Sequence, residues 1–185
     1  MKKRKKFLDR FTVFELMVIS LTAALGLASK PIILPLAQMI TGPLFIPGGS
    51  VAGGFYMMWI VLGASLVQKR GTATAIGLLQ GVIVMITGSF GTHGVVSVLT
   101  YGLPGLAVDV AFAVTRKQLK DPFDFFIAGA IANIGGTYLS NLVFFRLPWL
   151  PLIISLSTGA LSGGLGGLVA YLIYKRVSIL FNNEA

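Results

Sequence analysis

The residues whose types could carry catalysis or bind a metal are few in this sequence and stand far apart. His93 is the only histidine, cysteine is absent, and Asp and Glu together number six in 185 residues. Zinc sites need three or four ligands, and hydrolases need a nucleophile beside a base. A single histidine with no carboxylate near it in the chain supplies neither. We therefore expect no catalytic residue, no metal site and no enzyme activity, including that of an intramembrane protease.

Two carboxylates and the histidine each have two interpretations. Asp109 lies in an apolar segment and could relay a proton or cation, but the nearby Arg116 and Lys117 favour a structural contact. Glu15 stands at the start of an apolar segment, where a carboxylate suits a helix N-terminus, and is interpreted as structural. His93 is either a solvated loop residue or a hydrogen-bond donor to a ligand at the extracellular mouth.

Aromatic and amide side chains in the outer halves of the apolar segments could hold an organic ligand. Tyr56 and Trp59 share a helix face, so they either stack on a ligand or anchor the helix at the membrane interface. Asn133 and Asn141 also share a face, where amides either bond neighbouring helices or hold polar groups of a ligand. The predicted substrate-binding residues are Phe45, Gly48, Gly49, Tyr56, Trp59, His93, Tyr101, Asn133, Tyr138 and Asn141.

Residues 41–56 combine two prolines with five glycines at the join of the first two apolar segments. Irregular backbone at membrane depth is tolerated only where it is buried in protein or lines a cavity. The stretch is therefore either an exposed outer loop or a lid that folds into the bundle. Its apolar Phe45, Ile46, Val51 and Phe55 favour the lid.

The elements that must position these residues are membrane helices. The chain is 55% hydrophobic and 11% charged, against roughly 25% charged in soluble domains. Its mean hydropathy is +0.86. A crossing takes about 20 apolar residues, so the length accommodates about six crossings. The predicted spans lie near 12–29 (with a proline-broken extension to about 44), 51–68, 72–89, 95–115, 123–145 and 149–174.

The fold class predicted is an all-α membrane protein, a six-helix bundle forming a single domain over residues 1–185. A β-barrel would need strands of about ten residues with alternating polarity, and the stretch 59–67 does not alternate. Residues 1–11 are predicted to be a retained basic arm, because no short apolar stretch with a cleavage site follows them.

The positive charges predict the orientation. Every Lys and Arg except Lys30 and Arg146 falls in the N-terminal arm, after the second or fourth span, or at the end of the sixth. The positive-inside rule then places both termini in the cytoplasm and Lys30 and Arg146 toward the other face. Topology and contact with anionic lipid account for the net charge of +9, so no nucleic-acid partner is expected.

A transporter that drives its own cycle with ATP would need a phosphate-binding loop. The phosphate-binding pattern Gly-x-x-x-x-Gly-Lys-Ser/Thr is absent, so any ATP is hydrolysed by another subunit and no cofactor is expected here. An autonomous channel or ion-coupled carrier would need inverted repeats or several intramembrane charges, and it remains the alternative.

Small residues recur at every fourth position of the first span, at Ser20, Ala24 and Ala28. Such a strip lets helices approach closely, and it suits either internal packing or the docking of a partner subunit. The last span offers a second surface of this kind at Gly159, Ser162, Gly163, Gly166 and Gly167.

With these features together, the chain resembles a substrate-binding S component of the energy-coupling-factor (ECF) class of vitamin transporters. The most specific stretches are 45–59, 69–71 and 101–109, which are similar to the branch with cobalamin-type and thiamine-precursor-type members. The resemblance implies vitamin binding near the outer surface beneath the loop after helix one. It also implies docking through Ala24 and Ala28, extended by Ser20, on a coupling subunit that joins two ATPases.

The substrate follows from the chemistry of the outer half. Thiamine and its hydroxymethylpyrimidine precursor are cationic or basic, and a site for them would be expected to pair a carboxylate with aromatics. The outer half has no acidic residue but offers a Gly-rich mouth with Ser, Thr, Asn, His and Tyr. These groups favour cobalamin, with its many amides, over a thiamine-type solute.

Overall fold

The computed structural model describes residues 10–44, 46–88, 94–115 and 118–182. Phe45 and His93, two of the predicted binding residues, lie outside these ranges. So do Arg116 and Lys117, the partners predicted for Asp109, and nearly all of the basic arm.

The described chain forms six α-helices. They are α1 (Val13–Thr41), α2 (Gly48–Val67), α3 (Thr72–Thr87), α4 (Val96–Thr115), α5 (Pro122–Ser140) and α6 (Trp149–Asn182). A π-helical turn, Asn141–Phe145, follows α5. The all-α class predicted from composition is confirmed.

Five of these helices are long and apolar enough to cross a membrane, and α3 is the exception. With 16 residues α3 is about 24 Å long, against roughly 30 Å of hydrocarbon. The chain is therefore a multi-pass membrane protein, while a count of six full crossings stays a prediction.

The first helix differs from the prediction because it does not stop near residue 29. It starts with a capping box, in which Thr12 and Glu15 each bond the other's backbone N–H, and it continues through Pro31 and Pro35 to Thr41. Both prolines therefore lie inside one helix of 29 residues. The consequence is that Lys30 lies within a helix of the bundle and not in an outer loop.

The Gly-rich stretch predicted as a lid is mostly helix. Only the short segment from Gly42 to Pro47 separates α1 from α2, and α2 begins at Gly48. The glycines serve close packing instead: a side chain at Gly54 would meet the backbone of Ser162, and one at Gly166 would meet Gly54. Because α2 and α6 touch backbone to backbone there, the stretch has a packing role along the helix.

The centre of the bundle is α2, most of whose residues are buried. Gly163, Gly166 and Gly167 of α6 are also buried, since they pack against α2 and α5. The strip on α1 differs, because Ser20, Ala24 and Ala28 are all exposed. Of the two small-residue surfaces, the one on α6 is buried between helices and the one on α1 is exposed.

Positive side chains collect at one end of the bundle, which we call the basic end. Its described members are Arg10, Lys69, Arg70, Lys120, Lys175 and Arg176. Lys69 at the end of α2 pairs with Glu15 at the start of α1, with Nζ and Oε2 2.6 Å apart. Antiparallel neighbours joined by short connections put the ends of α1, α3 and α5 at the opposite end, which we call the cavity end.

Asp109 holds two helices together at the basic end. Its carboxylate accepts hydrogen bonds from the backbone N–H groups of Gly71 and Thr74, at 3.1 and 2.7 Å, and from the Thr74 hydroxyl at 2.6 Å. Gly71 precedes α3 and has no side chain with which to cap it, so α4 supplies the capping anion. These contacts support the structural interpretation of Asp109.

Candidate substrate-binding cavity

A cavity of about 380 Å³ lies toward the cavity end of the bundle. Side chains from all six helices and from the connections after α1 and α5 contribute to its wall. The polar lining residues are Lys30, Gln38, Ser50, Tyr56, Gln80, Thr100, Tyr101, Asn133, Thr137, Ser140, Asn141 and Ser155, and the larger apolar ones are Leu34, Met57, Ile60, Phe144, Phe145 and Leu147. An apolar wall with a few convergent polar groups is typical of a small-molecule site.

Lys30 and two tyrosines form the most distinctive group in the wall. The Lys30 Nζ lies 4.3 Å from the ring centroid of Tyr56 and 3.9 Å from that of Tyr101. Each contact is a cation–π interaction, worth about 0.5–2 kcal/mol depending on how much water is excluded. Residues from α1, α2 and α4 therefore meet at one charged group.

A hydrogen bond to the first turn of α2 fixes the orientation of the Tyr56 side chain. Its hydroxyl donates a hydrogen bond of 2.7 Å to the carbonyl oxygen of Gly49, about two turns earlier on α2. Gly48 and Gly49 line the cavity beside Pro47. A side chain at Gly48 would collide with Cγ of Gln38 and crowd the Gln38 backbone, so a residue without one lets α1 and α2 approach closely here.

The two asparagines predicted to share a face both line the cavity, and each also has a structural hydrogen bond. The Asn133 amide nitrogen donates to the carbonyl oxygens of Ser50 and Gly159, both at 2.9 Å, so α5 is tied to α2 and α6. The Asn141 side-chain oxygen accepts from the Leu147 backbone N–H at 2.8 Å, which closes the turn into α6. Helix connection is thus one role of both amides.

Two hydroxyls in the wall have no partner among the described residues. Ser50 and Ser155 are 2% and 1% exposed, and neither side-chain oxygen makes a hydrogen bond in that part of the chain. Gln80 is similarly under-bonded, since its amide nitrogen has only a long contact of 3.4 Å to the Ala23 carbonyl. A buried polar group without a partner costs free energy that a bound ligand can recover.

Six of the predicted binding residues line the cavity, and two others that the structure describes do not. Gly48, Gly49, Tyr56, Tyr101, Asn133 and Asn141 line the cavity. Trp59 and Tyr138 do not: Trp59 lies beside Gly26 at the contact of α1 and α2, and Tyr138 is 47% exposed on α5. Three residues along a helix leave a rotation of about 60°, which is enough to turn Trp59 away from the face of Tyr56.

Eight polar residues of the cavity lining were not among the predicted binding residues: Lys30, Gln38, Ser50, Gln80, Thr100, Thr137, Ser140 and Ser155. The charge pattern predicts Lys30 on the outer face, just past the first span and at the start of its proline-broken extension, and does not single it out as a binding residue. The available signal was a lysine inside the otherwise apolar stretch 21–36, since an ionisable residue at membrane depth usually serves a ligand or an ion.

The chain is similar to known proteins both in sequence and in fold. The model of a family described as "ABC-type cobalt transport system, permease component" matches residues 15–135. A crystal structure described as an S component of an ECF transporter aligns with a TM-score of 0.75 and 17% sequence identity, covering 92% of this chain and 87% of that one. Comparison with curated proteins gave no match.

The structural likeness, at that level of identity, shows a shared fold. The family match is stronger evidence of kinship, because it extends over more than half of the chain and includes α1 to α4 and most of α5. The chain belongs to the family of ABC-type cobalt transport system permease components.

Proposed function

We propose that this chain is the substrate-binding S component of an ECF-type importer, capturing a vitamin outside the cell and delivering it with partner subunits. The observation that carries the proposal is the cavity, walled by apolar groups with unpaired polar groups among them, at the end of the bundle away from the basic end. Membership in a transport permease family and the fold shared with an S component support it.

The proposed orientation follows from charge. Positive residues accumulate on cytoplasmic flanks, so the basic end is assigned to the cytoplasm together with both termini. The cavity end then faces outward. A solute entering from outside would reach Lys30, Tyr56 and Tyr101 after passing the connection between α1 and α2.

The proposed docking surface is the exposed strip Ser20, Ala24 and Ala28 on α1. The strip is smooth and faces away from the bundle, so a helix of the transmembrane coupling subunit could pack closely against it. The α6 glycines are occupied by α2 and α5 and are not available for docking. Two ATPase subunits joined to the coupling subunit would supply ATP hydrolysis, for which this chain has no motif.

The size of the cavity bears on the substrate. A volume of about 380 Å³ lies near the lower end of the range of roughly 300–1,000 Å³ found for sites of drug-sized ligands. A compact vitamin fits this range, whether a thiamine-type solute or another of similar size. Cobalamin, which the polar composition of the outer half favours, is far larger and would require the helices around the cavity to part.

Co-purification tests the proposed role. The tagged chain, extracted from membranes of cells that make the whole system, should carry a coupling subunit and two ATPases with it. Ala24→Trp with Ala28→Trp should remove these partners while leaving ligand binding intact, because both residues lie outside the cavity.

Ser157→Trp is the matched control, since it places the same bulk on an exposed small residue of α6. Partners lost from the control as well, or ligand binding lost with the α1 pair, would contradict docking through the strip. Calorimetry with cobalamin and thiamine then separates the two substrate classes: binding of cobalamin alone would rule out a compact substrate.

A further inference from the structure

We propose that the solute held in this cavity carries an acidic group, a carboxylate or a phosphate, and that the Lys30 ammonium is its partner. This inference rests on the proposed function and specifies the substrate class of the same site. It argues against the cationic, thiamine-type solute that stands as the alternative substrate.

The cavity wall holds one basic side chain and no acidic one among the described lining residues. Lys30 is the only Lys, Arg, His, Asp or Glu of the described cavity lining, so no acidic residue lines the cavity in that part of the chain. The described carboxylates all have other places: Glu15 pairs with Lys69, Asp109 caps α3, and Asp121 and Asp124 form the capping box of α5. Neither Phe45 nor 89–93 adds an Asp or Glu.

The Lys30 ammonium has no oxygen acceptor among the described residues. Among the described residues its only contacts with a partner group are the faces of Tyr56 and Tyr101. Aromatic faces attract a cation but do not accept its strong hydrogen bonds as an oxyanion does. A charge placed at membrane depth without an oxygen acceptor is costly, and an anionic ligand would remove that cost.

The position between the Tyr56 and Tyr101 rings where a cation would bind is already occupied by Lys30. Two tyrosine rings at about 4 Å from one point are the kind of group that binds an organic cation. Here Lys30 occupies that point, so a cationic solute would have to displace the ammonium and remain beside it. Like charges so close repel, and the arrangement therefore selects against thiamine.

The remaining groups can complete an anion site. Ser50 and Ser155 line the cavity, and their hydroxyls, which have no partner among the described residues, can each donate a hydrogen bond to a ligand once the side chain turns toward it; neither introduces a negative charge. The apolar side chains of Phe144, Phe145 and Leu34 would cover the neutral part of the molecule. The predicted ligand is thus a compact molecule with one acidic end and a flat or apolar remainder.

Paired ligands that differ in the acidic group test this proposal on the full chain in detergent. The probes are nicotinate with nicotinamide, pantothenate with pantothenol, and thiamine monophosphate with thiamine. Calorimetry should show at least one acid binding about tenfold or more tightly than its pair, the gain expected for a charge-assisted hydrogen bond. The first two pairs report a carboxylate and the third a phosphate.

Variants at Lys30 separate ligand pairing from a structural role. Lys30→Met should abolish the preference for the acid and leave the melting temperature of the empty protein unchanged or higher, whereas Lys30→Arg should keep the preference. Lys69→Met, at the basic end, is the control and should retain it. A Lys30→Met protein that still prefers the acid would overturn the proposal.

Other outcomes are equally decisive. If no acid binds more tightly than its own pair, or if none of the three acids binds, the proposal is also overturned. If a neutral or cationic probe binds and the chain still co-purifies with a coupling subunit, only the acidic-ligand inference fails. If nothing binds and no partner co-purifies, the proposed function fails with it.

Discussion

At the scale of single residues, some polar side chains in this bundle hold helices together through hydrogen bonds to neighbouring helices. Asp109 joins α4 to the start of α3, and Asn133 joins α5 to α2 and α6. The Asn133 amide nitrogen donates to two neighbouring helices, and both carboxylate oxygens of Asp109 accept hydrogen bonds. Lys30, Ser50 and Ser155 are different. They line the cavity, and the ammonium and the two hydroxyls have no hydrogen-bond partner among the described residues.

Replacing Asp109 by Ala should destabilise the protein without affecting ligand binding. The change removes three hydrogen bonds to a carboxylate and leaves the first turn of α3 uncapped, at a cost of about 2–3 kcal/mol. Thermal unfolding in detergent measures the loss. The control is Glu15→Gln, which breaks an ion pair at the surface and should cost less; a proton-relay role for Asp109 would instead appear as unchanged stability with lost transport.

Replacing Asn133 by Ala tests the three-helix connection. Two interhelical hydrogen bonds are lost, and in membrane proteins these cost about 1–2 kcal/mol in total. The measurement is again the unfolding midpoint. Thr158→Ala is the matched control, because that hydroxyl bonds only carbonyls of its own helix and its loss should be nearly neutral. Equal losses in the two variants would refute the connecting role.

At the scale of the helices, close approach of backbones explains the abundance of glycine. Gly166→Ala should lower stability by about 1–3 kcal/mol, because the added methyl group meets the Gly54 backbone, which cannot move away easily. Gly42→Ala is the control, since a side chain there meets nothing within 4 Å. A Gly166→Ala protein that unfolds like the wild type would show that α2 and α6 are not in contact as described.

Much of the helical architecture was predictable, and the reason is hydrocarbon thickness. Runs of about 20 apolar residues separated by charged or Gly-rich segments located most helices within a few residues, for example α4 at Val96–Thr115 against the predicted 95–115. The start of α2 at Gly48 was not predictable in this way. Glycine and proline usually mark loops, and only the packing partners on α6 reveal why this stretch is helical.

The candidate site was predictable only in part, for a related reason. Tyr56, Tyr101, Asn133 and Asn141 are outer-half residues of types that bind ligands, and all four line the cavity. Lys30 was missed because Pro31 and Pro35 suggested a helix end, whereas α1 continues past both. Which face a residue such as Trp59 presents depends on the rotation of neighbouring helices, and one sequence does not contain that rotation.

At the scale of the whole molecule, the separation of the basic end from the cavity end predicts a testable orientation. The chain has no cysteine, so single cysteines report position without background. In intact cells a membrane-impermeant maleimide should label Gly42→Cys at the cavity end and should not label Arg70→Cys at the basic end until the membrane is opened. The reverse labelling would contradict a cytoplasmic basic end and an outward cavity.

In the proposed importer, solute binding and energy supply are on different subunits. This chain supplies a cavity and a smooth exposed strip on α1, while the partners would supply the coupling subunit and ATP hydrolysis. A molecule of this kind holds its solute until the partners act. An autonomous carrier built on the same bundle would release solute by itself.

Uptake into proteoliposomes separates these two possibilities most directly. The radiolabelled solute is the tightest binder found by calorimetry among cobalamin and the six paired probes. With the chain alone we expect binding but no accumulation inside the vesicles, and with the complete complex we expect accumulation that requires ATP. Accumulation by the chain alone, equal with and without ATP, would contradict the assignment as a substrate-binding subunit.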